Sequence, residues 1–186
     1  MRIVGGAFRG RRLAAVGKGD AGAHLRPTAD RVRESLFSML EGGRFGDPID
    51  GARVLDLFAG TGALGLEALS RGADHVTFVD DGRVAQKLLA ENIATLGVKD
   101  RVRVLRTTAL RLPVAEAPAT LVFLDPPYGK DLGAKALTGA RSQGWITAEA
   151  LVIWEERGPQ LAPEGFTLLE HKTYGDTVMT LLMATP

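Results

Sequence analysis

Two stretches carry residue types and spacings that can do chemistry: Asp125-Pro126-Pro127-Tyr128 and, about seventy residues earlier, Asp56-Leu57-Phe58-Ala59-Gly60-Thr61-Gly62. The first follows the apolar run Leu121-Val122-Phe123-Leu124, which reads as a short buried strand. Two consecutive prolines lack N–H donors and have fixed φ, so the strand must end there with carbonyls left unpaired. A carboxylate, two free carbonyls and an aromatic ring then converge at one strand end. Such a set can hold a planar group bearing an amine, with acceptors for both N–H bonds and a ring for stacking. Asp-Pro and Pro-Pro also make ordinary β-turns, so this motif alone leaves a plain turn open.

The second stretch decides between them. Gly60, Gly62 and Gly65 have the G-x-G-x-x-G spacing that joins a strand to a helix around a dinucleotide. In that reading the helix N-terminus favours a pyrophosphate, and Asp80 holds a ribose hydroxyl. Asp56 argues against it, because a carboxylate four residues before Gly60 repels a pyrophosphate and attracts a cation. The chain also leaves little room for a second substrate domain. An adenosine with a cationic sulfonium and an amino acid tail fits better, which points to S-adenosylmethionine. The expected cofactor contacts are Asp56, Phe58, Ala59, Gly60, Thr61 and Gly62, with Asp80 on the ribose and Asp81 as its weaker alternative. All these motifs fall at strand carboxyl ends, where open α/β sheets bind ligands.

Those strand ends must be positioned by the elements around them. The pattern predicts a helix from 28 to about 40 with Thr28 as its N-cap, then strands over 54–58, 75–80, 102–106, 120–125 and 150–154. Helices are expected over 63–71, 83–96 and 131–142, and a closing hairpin over 166–171 and 177–183. Strands alternating with helices imply a parallel sheet covered on both faces. In the first helix Val32, Leu36, Met39 and Leu40 share the expected core face, leaving Asp30, Glu34 and Phe37 opposite.

Composition narrows the class. With 186 residues, 45% apolar and 24% charged, the chain suits one globular domain. It has no cysteine, and His24, His75 and His171 are too scattered for a ligand motif, so no metal site is expected. No apolar run approaches membrane-spanning length, which suggests a cytoplasmic protein without a membrane partner. The net charge of +1 hides an asymmetry: residues 1–33 hold eight Lys/Arg against Asp20 and Asp30, an excess of +6, and the remainder carries −5. Glycines at 5, 6 and 10 between short β-prone runs predict a small arginine-bearing hairpin, with a mobile loop over 14–25. Phe8 within it can stack on a base or anchor packing. The basic excess suggests a polyanion partner, a solvated arm being the alternative.

Taken together, the chain resembles the bacterial 16S ribosomal RNA guanine-N2 methyltransferases of the RsmD family. The resemblance runs through Arg2-Ile3-Val4-Gly5-Gly6, Arg9-Gly10-Arg11-Arg12-Leu13, Arg26-Pro27-Thr28 and Asp30-Arg31-Val32-Arg33-Glu34. It continues through Asp56-Leu57-Phe58-Ala59-Gly60, Gly62-Ala63-Leu64-Gly65-Leu66-Glu67-Ala68, Asp125-Pro126-Pro127-Tyr128 and Tyr174-Gly175-Asp176-Thr177. It implies a Rossmann-like class I S-adenosylmethionine-dependent methyltransferase sheet with helices on both faces, an antiparallel C-terminal edge strand and a small N-terminal hairpin-helix extension. Residues 1–26 are then a basic extension for RNA and 27–186 the methyltransferase domain. Asp125, Pro126, Pro127 and Tyr128 are the expected catalytic set. Arg2, Arg9, Arg11, Arg12, Arg26, Arg31 and Arg33 are the expected RNA contacts. The implied substrate is 16S rRNA in an assembling small ribosomal subunit, and a monomer is expected. After the third strand, where such enzymes often place Asp or Asn near the adenine, this chain has Thr107-Thr108-Ala109; Thr108 and Ala109 are carried as cofactor contacts there. The rivals are an amino methyltransferase acting on adenine or protein glutamine, an NAD-dependent oxidoreductase, and a noncatalytic RNA-binding assembly factor.

Overall fold

Strands buried on both faces need helices on both sides, and the computed structural model, which describes residues 1–16 and 29–186, arranges them so. The strands are β1 (Arg53–Leu57), β2 (His75–Val79), β3 (Val102–Leu105), β4 (Ala119–Leu124), β5 (Ile146–Glu156), β6 (Phe166–Tyr174) and β7 (Thr177–Ala184). They form one sheet in the order β3-β2-β1-β4-β5-β7-β6. The first five are parallel, and β7 runs antiparallel between β5 and β6. The antiparallel strand therefore lies one place in from the edge, and β6 is the edge itself. Their sequences explain the order. Residues 178–182 of β7 are buried without a break, whereas β6 exposes Thr167, Leu168, His171 and Thr173, as suits an edge.

Among the described residues, four α-helices cover this sheet: α1 (Asp30–Glu41), α2 (Ala63–Ser70), α3 (Arg83–Leu96) and α4 (Leu132–Ser142). The period of two along each strand separates the core into two layers. Val54, Phe78, Leu121, Phe123 and Ile153 pack with Leu36, Leu66 and Leu89 of α1, α2 and α3. Leu55, Leu57, Val79, Val122 and Trp154 pack with Ala136 and Leu137 of α4. Every residue of α2 is buried, because the sheet lies on one side of it and the N-terminal segment on the other. Gly65 permits that closeness: a Cβ there would stand 2.5 Å from the Phe78 ring.

The N-terminal segment makes a narrow ribbon, bridged at Arg2 and Arg12, around a single 3-10 turn at Gly6–Phe8. Ile3 and Leu13 enter the core. Glu67 of α2 accepts the N–H groups of Val4 (2.9 Å) and Gly5 (2.8 Å), and the hydroxyl of Ser70 donates to the Gly5 carbonyl (2.5 Å). Phe8 is half-buried and packs against the core, favouring the anchor over the stacking reading.

Two expectations for α1 are corrected. Phe37 is fully buried, 5.6 Å from the Phe123 ring, with the Arg71 guanidinium 5.2 Å from its centroid. Arg33, expected on RNA, is also fully buried, within 3.5 Å of Glu67 and 3.0 Å of Asp30. The buried arc is thus Arg33, Leu36, Phe37 and Leu40, spaced i, i+3, i+4, i+7, with Val32 and Met39 on its flanks. A guanidinium there reads as polar in sequence because its partner, Glu67, is distant in the chain. An enclosed Arg33 has no face for a phosphate. The expected loop over 14–25, the Thr28 cap and Arg26 fall wholly or partly on residues 17–28, outside the described residues.

Glu67 also pairs with Arg71 at 2.8 Å, so one enclosed carboxylate faces two guanidinium groups and two backbone amides. Removing one member of a buried pair costs about 3–5 kcal/mol, because the other charge stays buried. Glu67→Ala should lower the unfolding free energy by about that amount in urea titrations. A loss below about 1 kcal/mol, typical of an exposed pair, would contradict this account.

Candidate active site

Backbone geometry brings the sequence motifs to one end of the sheet. Asp56 is paired in register with Phe123, so the chain leaving β4 at Asp125 lies beside the chain leaving β1. The Asp125 N–H donates to the Leu57 carbonyl at 3.4 Å. Asp80 follows β2 directly, and its carboxylate accepts the Gly60 and Gly82 N–H groups, each at 2.8 Å. The turn between β1 and α2 is tight. Phe58 sits at φ 59° and Gly62 at φ 78°, and a Cβ on Gly62 would meet the Leu89 side chain at 2.4 Å. Phe58, a non-glycine residue in the left-handed region, stores strain of the kind found at ligand-binding turns.

The electrostatics of this end are those of crowded carboxylates. Asp56 is buried and accepts the Gly65 N–H at 3.0 Å, yet its pKa is raised to about 8 by burial, with nearby Asp80 adding to the shift. Asp80 is also raised, by burial first and by exposed Asp81. Asp125, half-buried as a residue, is held well above the ordinary carboxylate range by burial, then by Glu155, Asp56 and Glu156. The Tyr128 phenol donates to Glu155 at 3.1 Å and is pushed up by burial and by that neighbour. Glu156 accepts the Gly129 N–H at 3.3 Å.

Carboxylates that resist ionising in this surrounding favour a ligand that brings positive charge. A pyrophosphate would add repulsion, which disfavours the NAD reading. The two N–H bonds to Asp80 use one lone pair on each oxygen and leave the others for hydroxyl donors. The site thus suits a sulfonium and an ammonium near Asp56 and a ribose at Asp80. Among the described residues, no backbone N–H anchors exposed Asp81 in this way. Thr108 is half-buried, its hydroxyl accepting the Leu110 N–H at 3.3 Å, and Ala109 packs in the core. Pro126 is buried and Pro127 exposed. Thr61 is buried beneath the turn.

Comparison with known proteins agrees with this geometry. Residues 1–183 match the family described as Conserved hypothetical protein 95, the RsmD family. The chain belongs to the RsmD family. The Escherichia coli (strain K12) protein named Ribosomal RNA small subunit methyltransferase D is 37% identical over 185 residues, covering 97% of this chain and 88% of the relative. The Haemophilus influenzae protein of the same name is 35% identical over 181 residues, covering 94% and 89%. The solved structure of yhhF from Escherichia coli has a TM-score of 0.82 at 36% identity, covering 100% of this chain and 98% of that one. A Salinibacter ruber RNA methyltransferase in complex with S-adenosyl-L-homocysteine shares the fold, with a TM-score of 0.66 at 15% identity over 86% of this chain and 94% of that one. The sheet is therefore the Rossmann-like class I methyltransferase fold, and the cofactor of this RsmD-family chain is S-adenosylmethionine. Among the described residues, no helix is long and apolar enough to cross a membrane.

Sequence reasoning missed Glu155 and Glu156. Their signal was present: two acids directly after the apolar run 150–154, at another strand's carboxyl end. The arginines divide. Arg2, Arg9, Arg11, Arg12 and Arg31 are exposed, with Arg2 within 3.6 Å of Asp30 and Arg11 donating to the Thr95 carbonyl at 2.6 Å. Arg33 is enclosed, as described above.

Asp56 gives a pH-dependent test. Its folded pKa of about 8 exceeds the ordinary 3.8, so the folded chain keeps a proton that the unfolded chain releases. The resulting stability is complete below about pH 4 and lost as pH rises through 8. Asp56→Asn keeps an acceptor for Gly65 but cannot ionise. The cofactor-free variant should gain on wild type between pH 5 and pH 8, by at most about 1.4 kcal/mol per pH unit. Denaturant titrations showing a difference independent of pH would contradict the raised pKa.

Proposed function

We propose that this chain methylates the exocyclic N2 amine of one guanine in 16S ribosomal RNA, acting as a monomer on an assembling small ribosomal subunit. The observation that carries this reading is the strand end of β4. There the Asp125 carboxyl stands among Asp56, Glu155 and Glu156, and the adjoining Tyr128 is held through its phenol by Glu155. The names of the relatives favour ribosomal RNA as the polymer.

When bound, S-adenosylmethionine would supply an electrophilic methyl from its sulfonium to the amine, with S-adenosylhomocysteine and one proton as the other products. Asp56 and the Gly60–Gly62 turn seat the charged end of this cofactor, with Phe58, Ala59 and Thr61 shaping the turn. Asp80 would hold the ribose, and the segment at Thr108 and Ala109 would border the adenine. The guanine N2 lone pair is delocalised into the ring and must be turned out of it. Asp125 and the Pro126 carbonyl accept its two N–H bonds, an orientation that would turn the lone pair toward a bound methyl donor. The fixed φ of Pro126 and Pro127 holds this acceptor pair in place. Tyr128 stacks on the base, which leaves its helix to enter the site. Asp125 takes the proton once the amine carries the methyl, a role its raised pKa favours. Exposed Arg2, Arg9, Arg11, Arg12 and Arg31 hold RNA phosphates, which position the substrate.

Small-subunit particles from cells lacking the gene, incubated with this protein and S-adenosylmethionine, should yield N2-methylguanosine by nucleoside mass spectrometry. N6-methyladenosine instead would reassign the base, and no methylated nucleoside would favour a noncatalytic assembly factor. Asp125→Ala should fall at least ~100-fold in single-turnover rate, with Asp125→Asn intermediate because it keeps an acceptor oxygen. The wild-type rate should rise with pH along a limb above the ordinary carboxylate range, since the accepting form is the deprotonated one. Near wild-type turnover by Asp125→Ala would remove it from the reaction.

A further inference from the structure

Asn92 lies on α3, fully buried, and its side chain joins two segments that nothing in the sequence connects. Its amide nitrogen donates to the Thr61 carbonyl (2.9 Å) in the cofactor turn and to the Ala14 carbonyl (3.2 Å) in the N-terminal segment. Its amide oxygen accepts the Ala14 N–H at 2.6 Å. These partners fix the orientation of the amide. Flipping it would set nitrogen against the Ala14 N–H and oxygen against both carbonyls, breaking all three bonds. The surrounding contacts run the same way. One turn earlier Leu89 presses on Gly62, and one turn later the Thr95 carbonyl takes the guanidinium of Arg11. On the other side, Thr61 Oγ1 lies 3.8 Å from Met1 Sδ. One face of α3 thus touches the cofactor turn and the basic segment together.

We propose that Asn92 is a positioning residue that couples the N-terminal basic segment to the cofactor turn, so that RNA held by the segment tightens cofactor binding, and cofactor tightens RNA. This rests on the function proposed above. A buried amide that satisfies two backbone segments at once is broken by movement of either. Loss of the Ala14 contacts leaves Asn92 free to turn, and the Thr61 carbonyl then loses its donor. Holding residues 1–16 in place therefore holds Thr61, and with it the Gly60–Gly62 turn. The relation is reciprocal by linkage, since each ligand changes the other's affinity by the same factor.

The test measures S-adenosylhomocysteine affinity by equilibrium dialysis, with and without saturating small-subunit particles from cells lacking the gene, for full-length wild type and Asn92→Ala. Particles should tighten wild-type binding at least ~5-fold, the low end of ordinary coupling between sites, and this factor should fall to about one in Asn92→Ala. A purely structural amide would weaken cofactor binding equally with and without particles and leave the factor intact. A wild-type factor of one, or a variant that keeps the wild-type factor, overturns the proposal. Failure of wild type to bind the particles at all overturns the functional reading itself, and this coupling with it. A second measurement avoids any folding defect of the variant. In wild type alone, S-adenosylhomocysteine should slow hydrogen exchange in residues 1–16, and exchange that is unchanged there overturns the coupling.

Discussion

The site depends on carboxylates gathered where four strands end. Asp56 is inside β1, Asp80 follows β2, Asp125 follows β4, and Glu155 and Glu156 end β5. Parallel pairing makes this crowding unavoidable, because strands that start at one side of the sheet all deliver their next residues to the other. Amide N–H groups of Gly60, Gly65 and Gly82 offset part of the repulsion, at 2.8–3.0 Å. Burial and mutual repulsion still hold Asp56, Asp80 and Asp125 above their ordinary pKa. A cofactor that carries a sulfonium and an ammonium suits the remaining demand for positive charge.

Glu67 shows the contrast within the same molecule. It is as enclosed as Asp56, but Arg33 and Arg71 stand within 3.5 Å and 2.8 Å of it, and two backbone amides reach it. That carboxylate is satisfied by the chain itself and fastens the N-terminal segment to α2. Asp56 has a backbone amide and like-charged neighbours, and it is poised for a ligand. Two buried acids eleven residues apart, on adjacent elements, are thus divided between structure and chemistry by the partners that surround them.

Much of this was legible in the sequence, because the strand and helix periods and the glycine stops depend on local spacing. The helix at Arg83–Leu96 and the turn from Asp56 to Gly62 follow directly from them. What escaped depends on contacts far apart in the chain. Arg33 looks like a surface base until Glu67 is placed beside it, and Phe37 looks exposed until Arg33 rotates the buried face of α1 toward it. Asn92 sits in an unremarkable stretch of helix, and only the packed chain shows Thr61 and Ala14 on either side. The fifth strand begins at Ile146 rather than 150 because a register shift against β4, with Glu149 at φ 61°, lets it continue through an irregular stretch. Glu155 and Glu156 needed only the strand-end rule applied once more.

A cation that completes the carboxylate cluster must displace protons from it, so proton release on binding is the decisive measurement. A positive ligand favours the ionised acids and lowers pKa values that the cluster had raised, so protons must leave as it binds. Calorimetric titration of S-adenosylmethionine near pH 7, in buffers of differing ionisation enthalpy, gives the number of protons exchanged. Net release is expected, smaller for S-adenosylhomocysteine, whose sulfur is uncharged. Net proton uptake, or heats independent of the buffer, would contradict it.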